Sequence, residues 1–431
     1  MLSLTDEIIN LSDRMTRDPA VQEKNFWFLV SAYLHFLHKD FAVARTFLDQ
    51  VEEKNETYAL QKKNLLFYID ISEPTVLTPD WETAIYEKYK DAFSGEVLEK
   101  ERWGNHVLYT GTSDFVRDVL ANRYYLQQEY AKSFLLTHRI SELEEYPHPD
   151  LLDALEEFYR KPDKTPLEEY IASGFTVHSK SYGHPENYLD YLRGIVRLTE
   201  GDLSGAYDSF RQADPEQMKI RIPKYVFGAN LIACMNCAPD TVMYTDYLGH
   251  FPFIGQEMDF RELTAILLRL EEIGAQNGPL SPEANYLLGN FFCNTSRLGY
   301  YRHLLRFNTN NGYNYKYSIY TKPDIYSDIY FKDYPTYYGN TYPQAQKYLE
   351  LAYAQAKDKE LKAHIVFALS KCEQEEILER NQGATYRRGV PLSPLSERKY
   401  FKELMRYRDT SYFREVESRC KYFGYYVKSN I

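Results

Sequence analysis

Two cysteines, Cys234 and Cys237, stand in a CxxC spacing inside "YVFGANLIACMNCAP" (Tyr225 to Pro239). That spacing could supply half of a zinc site, but zinc needs a second ligand pair and no nearby His or Cys provides it. A redox-active CxxC needs a βαβ setting that is also missing. The expectation is therefore two buried helical cysteines and no metal. Cys293, Cys372 and Cys420 complete an odd, dispersed set of five, which is not a disulfide framework. His35 and His38, three apart, could join two ligands on a helix, yet no acidic or cysteine partner is evident beside them. They read as packed or solvated histidines. The SxxK matches, Ser396 to Lys399 and Ser418 to Lys421, fall in charged helical stretches. The acid pairs Glu156-Glu157 and Glu271-Glu272 sit on solvated helix faces. There is no phosphate-binding GxxxxGK[ST], no HExxH, no GxSxG and no dinucleotide glycine fingerprint. Nucleophile, base and electrostatic stabiliser cannot be assembled from these pieces, so the expectation is a protein that is not an enzyme and uses no cofactor.

Chemistry of recognition is better represented. The stretch from Thr309 to Tyr342, "TNNGYNYKYSIYTKPDIYSDIYFKDYPTYYGNTY", holds ten of the chain's 41 tyrosines. Tyrosine suits half-apolar, half-wet surfaces, where the ring packs and the hydroxyl keeps a polar partner. Tyr326, Tyr330, Tyr334 and Tyr337 are the candidate binding rings. Upstream, "LLGNFFCNTSRLGYYR" places Asn290 and Asn294 four apart, on one helix face, with Arg302 following. Each assignment has a plainer counterpart. The tyrosines could cover the protein's own apolar surface, and the asparagines could satisfy the backbone of an irregular loop.

Composition bounds the partners. The formal charge of −11 argues against general nucleic-acid binding, which depends on phosphate neutralisation. The segment from Tyr386 to Ile431 is the exception, with 11 basic and 5 acidic residues, and reads as a basic tail docked on an acidic body. No apolar run approaches the roughly 20 residues that span a bilayer. The start "MLSLTDEIINLSDRM" lacks a basic n-region ahead of an apolar core, so the chain as written reads as cytoplasmic. A leader ahead of Met1 would instead place it in the cell envelope.

The elements that must position these residues are helices in pairs. In "YLDYLRGIVRLTEGDLSGAYDSFRQADP" (Tyr188 to Pro215), apolar positions follow helical spacing up to Gly201-Asp202, then restart at Leu203. Gly194 and Ala206 are expected to face each other where the helices cross. Similar hairpins run from Phe26 to Glu52, turning at Lys39-Asp40-Phe41, and from Phe115 to Leu143, turning at Gln127-Gln128-Glu129. Thr165-Pro166-Leu167-Glu168 carries a capping-box pattern, and Ser281-Pro282 and Ser393-Pro394 read as further helix starts. The helix after Ser281 finds its pair only at Tyr342, where Ala345, Leu349 and Ala352 fit a second helix. The tyrosine stretch is thus an insertion within one hairpin. No alternating strand pattern persists, so the fold class is all-α.

Gly194, Gly201, Ala206, Phe210 and Ala213 match the small and aromatic positions of the tetratricopeptide repeat, and the hairpins resemble that family. Residues from about 280 to 431, through "LLGNxxxNxSxxGxxR", "ALSKCEQ" and "YFREVESRCKYFGYY", resemble an uncharacterised bacterial family with tetratricopeptide-like C-terminal halves. The resemblance implies a degenerate α-solenoid of two parts. Residues 1–180 would form N-terminal repeats. Residues 181–431 would form tetratricopeptide-like repeats carrying the insertion at 300–342. It implies no known activity. Stacked hairpins offer extended binding surfaces, so the expected role is a scaffold for a protein or peptide partner. Glycan capture by the Tyr/Asn-rich insertion is the alternative.

Overall fold

The structure, a computed structural model, describes residues 4–93, 110–138, 143, 149–178, 185–214, 220–229, 246–296, 299–305, 340–380 and 398–430. Among them are eighteen α-helices and one antiparallel pairing of two-residue strands, β1 (Ile222–Pro223) with β2 (Glu257–Met258). The fold is all-α. The described residues of Met1–Glu142 and Asp153–Ser179 form one compact unit, and those of Leu143–Leu152, Lys180–Asn314 and Pro335–Ile431 form another.

The first unit contains α1 (Leu4–Arg17), α2 (Lys24–Leu37), α3 (Phe41–Asp49), α4 (Glu56–Ser72), α5 (Pro79–Lys88), α6 (Thr110–Leu126) and α7 (Tyr130–Thr137). The boundary between the units falls within α8 (Pro149–Arg160), and α9 (Pro166–His178) returns to the first. Helices adjacent in the chain pack together, α1 on α2, α2 on α3 and α6 on α7. Ala44 and Leu48 of α3 are fully buried against Ala32 and Phe36 of α2, as the hairpin pattern requires.

The second unit continues the pattern with α10 (Pro185–Glu200), α11 (Leu203–Gln212), α12 (Phe260–Ala275), α13 (Ser281–Asn294), α14 (Tyr342–Gln355) and α15 (Lys359–Arg380). The short helices α16 (Lys399–Leu404), α17 (Ser411–Arg419) and α18 (Lys421–Ser429) close it. From α10 to α16 each helix packs on its predecessor, the arrangement of a helical-repeat protein.

Three hairpins share one turn. Lys39, Gln128 and Gly201 occupy the left-handed region at φ 66°, 66° and 83°. In each, the amide of that residue donates to the carbonyl three back, and the next amide donates five back: Asp40 to His35, Glu129 to Tyr124, Asp202 to Arg197. This is the 6→1 closure of a helix C-terminus. An acidic residue follows the turn, and the position four beyond it is small and buried: Ala44, Ser133 and Ala206. Repetition is therefore visible in the backbone where side-chain identity has drifted.

Gly194 makes its close approach to Phe210 rather than Ala206, since a Cβ there would meet the Phe210 ring at 2.6 Å. The large ring one turn further along α11 reaches the crossing, and Ala206 is fully buried in the same helix. Gly289 of α13 plays the same part for α14, where a Cβ would lie 2.5 Å from Leu349. The tyrosine-rich insertion thus interrupts a hairpin whose two helices remain packed.

The capping box at Thr165 forms as its sequence indicates. Glu168 N–H donates to Thr165 Oγ1 at 3.1 Å, and Thr165 N–H donates to Glu168 Oε2 at 2.9 Å. Ser281 begins its helix, but Leu280 holds the cap position without a side-chain bond. The Ser281 hydroxyl instead accepts from Gly278 N–H at 2.8 Å and donates to Ile273 O at 2.6 Å, tying the loop before it. Tyr225 to Pro239 departs from a continuous helix: Lys224–Phe227 is a 3-10 turn followed by non-helical Gly228. The rest of that stretch, including Cys234 and Cys237, lies outside the described residues, as does Ser393-Pro394.

Candidate functional site

Tyr326, Tyr330, Tyr334 and Tyr337 lie outside the described residues. The frame that carries them is described on both sides. Thr341 Oγ1 donates to Phe292 O at 2.9 Å, and Ser296 Oγ donates to the Tyr342 hydroxyl at 2.7 Å, both buried. Gly299 lies against the backbone of Asn294, whose carbonyl accepts from Tyr301 N–H at 2.8 Å. Arg302 donates to Gly299 O at 3.2 Å.

The two asparagines do different things. Asn294 donates both its amide hydrogens to backbone carbonyls, Val226 O at 2.8 Å and Gly228 O at 2.7 Å. Asn290, one turn earlier and also buried, makes no such backbone clasp; its amide lies toward the Tyr286 hydroxyl and pulls against the effect of burial there. It lines a small polar pocket inside the second unit. Tyr286, Asn290 and Cys293 reach that pocket from α13 at helical spacing i, i+4, i+7. His364 and Lys371 reach it from α15, seven apart, and Tyr412 from α17. The cavity is small, with room for a guest of one or two heavy atoms.

Burial sets the electrostatics here. It pushes the His364 imidazole down to about 4, against a weak upward pull from Glu360 and Asp358. His364 is thus neutral at pH 7, stacked on the Tyr412 ring with centroids 3.5 Å apart, and its buried Nδ1 has no protein partner. Burial likewise lowers the Lys371 ammonium to about 8, partly offset by attraction to Cys293, Cys420 and Cys372. The Tyr286 hydroxyl is raised above the ordinary phenol range by the same burial. The pocket thus gathers a lysine with a lowered ammonium, a neutral imidazole, an amide and a thiol around one small polar cavity. The signal in the sequence is two polar residues two turns apart, His364 and Lys371, on an otherwise apolar stripe of α15.

A second cluster, in the first unit, is more heavily charged. Lys132 of α7 reaches Glu168 Oε1 at 2.7 Å and Glu82 Oε1 at 2.9 Å, all three buried. Tyr124 and Thr165 hydroxyls each donate to Glu82 at 2.7 Å, and Lys161 donates to both Glu168 oxygens at 2.8 Å. Burial raises the Glu168 carboxyl, but the bonds from Lys132, Lys161 and Thr165 N–H outweigh it and hold the group below the ordinary glutamate range. Burial lowers Lys132, and the bond to Glu168 and the pull of Glu82 outweigh that in turn, leaving it raised. Glu129, half-exposed, adds a third carboxylate 3.7 Å from Lys132, and the buried bonds among Glu82, Tyr124, Lys132 and Glu168 fix the packing of α5, α6, α7 and α9.

Contrary to the expectation of no nearby acidic partner, both His35 and His38 have one, and that of His38, Asp40, is only two residues away in the chain. His35 Nε2 lies 3.2 Å from Asp13 Oδ2, and His38 Nδ1 lies 3.0 Å from Asp40 Oδ2. Among the described residues no group of three His, Cys, Asp or Glu side chains is arranged to hold a metal ion. The C-terminal segment docks on α15: Arg398 donates to Glu373 at 2.8 Å, to Gln374 at 2.9 Å and to Ser370 O at 2.6 Å. No helix among the described residues is long and apolar enough to cross a membrane.

Fold and site together define an all-helical protein of stacked hairpins. Protein-family models, curated proteins and solved structures provide no match to the chain.

Proposed function

We propose that this chain is a non-enzymatic binding protein that engages a protein or peptide partner through its helical hairpins and the tyrosine-rich segment. One observation carries the reading. The first hairpin exposes large apolar side chains at helical spacing, Ile8 and Leu11 on α1 and Phe26 and Tyr33 on α2. Such stripes on an amphipathic helix mark interaction surfaces. Tyr326, Tyr330, Tyr334 and Tyr337 would contribute rings of the kind that dominate interface energetics, with Asn294 and Arg302 holding the frame behind them and Asn290 lining the pocket beneath.

A photo-cross-linking residue at Tyr33 or Tyr330, introduced in the cells that make the protein, tests this. Discrete polypeptide adducts at these positions, absent at exposed Glu53, are the expected result. Adduct patterns identical to the Glu53 control at both positions would refute it. Retention on immobilised oligosaccharide with no polypeptide adduct would move the reading to glycan binding.

A further inference from the structure

We propose that Cys293 and Cys372 are a hydroperoxide-oxidisable thiol pair that closes to a disulfide tying α13 to α15. The two sulfurs are 3.5 Å apart, in contact across the helix interface, although the residues are 79 apart in the chain. Both side chains are buried and neither is in a disulfide. Burial alone would make them inert packing. Two further features argue otherwise.

The first is access. Cys293 lines the polar pocket with Asn290, Lys371 and Tyr412. A cavity this small that reaches the Cys293 side chain suits hydrogen peroxide, with two heavy atoms, and excludes a bulky disulfide oxidant. The second is charge. Lys371 precedes Cys372 in the chain and lines the same pocket as Cys293. A cationic side chain at the pocket stabilises the oxyanion that leaves when the O–O bond breaks.

The chemistry balances in two steps. The Cys293 thiolate attacks one oxygen of the hydroperoxide, an S–O bond forms and the O–O bond breaks. The released alkoxide or hydroxide takes up the proton lost by the thiol, giving an alcohol or water. The Cys372 sulfur then attacks the sulfenic sulfur, forming S–S and breaking S–O, and hydroxide leaves as water with the Cys372 proton. Both thiols are oxidised, the hydroperoxide supplies the oxidising equivalents, and nothing else is consumed. A partner sulfur already in contact makes the second step fast, which protects Cys293 from over-oxidation.

The test is made on the full, folded chain treated with hydrogen peroxide, then denatured and alkylated, with cysteine peptides mapped by mass spectrometry. The expected product is a Cys293–Cys372 cross-linked peptide lacking one hydrogen from each thiol, reversed by dithiothreitol. Oxidised glutathione should give it far more slowly. In Cys372→Ser the cross-link is lost and a sulfenic-acid probe labels Cys293. In Lys371→Gln the same product forms more slowly. The wild-type map alone decides, should either variant fail to fold. Oxidation of Cys293 to sulfinic acid without a cross-link, a Cys293–Cys420 link, or no reaction at either residue would each overturn the proposal.

Discussion

Replacing Lys132 with methionine removes the one ammonium shared by Glu82 and Glu168 while leaving a side chain of similar length. The consequence differs at the two carboxylates. Glu168 keeps Lys161, which donates to both its oxygens, and the Thr165 N–H. Glu82 keeps only two neutral donors, the Tyr124 and Thr165 hydroxyls, and is 1% exposed. Stranding one buried charge of a former pair costs about 3–5 kcal/mol. The lost contact of Lys132 with the Tyr124 ring, 4.9 Å from its centroid, adds to this. Urea unfolding followed by circular dichroism at pH 7 reads the loss as a lower midpoint. The double variant Lys132→Met with Glu82→Gln should recover a substantial part, because the stranded charge is then gone. A Lys132→Met loss under about 1 kcal/mol, the range of an exposed pair, would refute the reading of this cluster as a buried keystone. The pH dependence follows from the two shifts. Glu168 is held below its unfolded value, so its contribution is present above the unfolded carboxyl range and disappears as pH falls through the depressed folded value. Lys132 is raised, so its contribution is intact below the unfolded lysine value and disappears as pH rises through the folded one.

Lys39→Gly and Gln128→Gly should each stabilise by about 0.5–1 kcal/mol, since both non-glycine residues sit at φ 66°; a lower denaturation midpoint would contradict the turn assignment. Gly194→Ala should cost about 1–3 kcal/mol by driving a methyl into the Phe210 ring, read as a drop in Tm. Asn294→Ala removes both donors from Val226 O and Gly228 O and should cost about 1–3 kcal/mol per carbonyl left dry; faster amide exchange at 226–229 localises the effect. Replacing Tyr326, Tyr330 and Tyr334 together with alanine should weaken partner capture in a quantitative pull-down while circular dichroism stays unchanged. Equal losses of Tm and capture would show that those rings pack the frame instead.

Local patterns were readable in the sequence, and distant partnerships were not. Gly201-Asp202 announces its turn because glycine adopts the left-handed region at little cost, and the Thr165 box needs only residues three apart. Lys39 and Gln128 make the same turn without the glycine, so only the restart of apolar spacing after them gives it away. Ser281 misled by one position because Ser-Pro marks a helix start whether serine caps it or enters the first turn. Glu82 and Lys132 carry no signature, and Glu168 shows only its local capping box, until α5, α7 and α9 bring the three together. His35 finds Asp13 22 residues back, across a helix pair. The pocket was half visible: Asn290 drew notice as an asparagine in an apolar stripe, whereas His364 and Lys371 passed as ordinary members of α15.

The seam of α13 against α14 is fastened at its two ends. Leu349 fills the notch at Gly289, and the bonds Thr341 to Phe292 and Ser296 to Tyr342 tie the two helix ends, with Leu304 and Leu305 buried beside them. Once both ends are tied, the cost of closing the chain between Leu305 and Asn340 grows only logarithmically with its length, so doubling it would cost about 0.6 kcal/mol. Lengthening there is cheap for the frame, whereas losing either tied end is not.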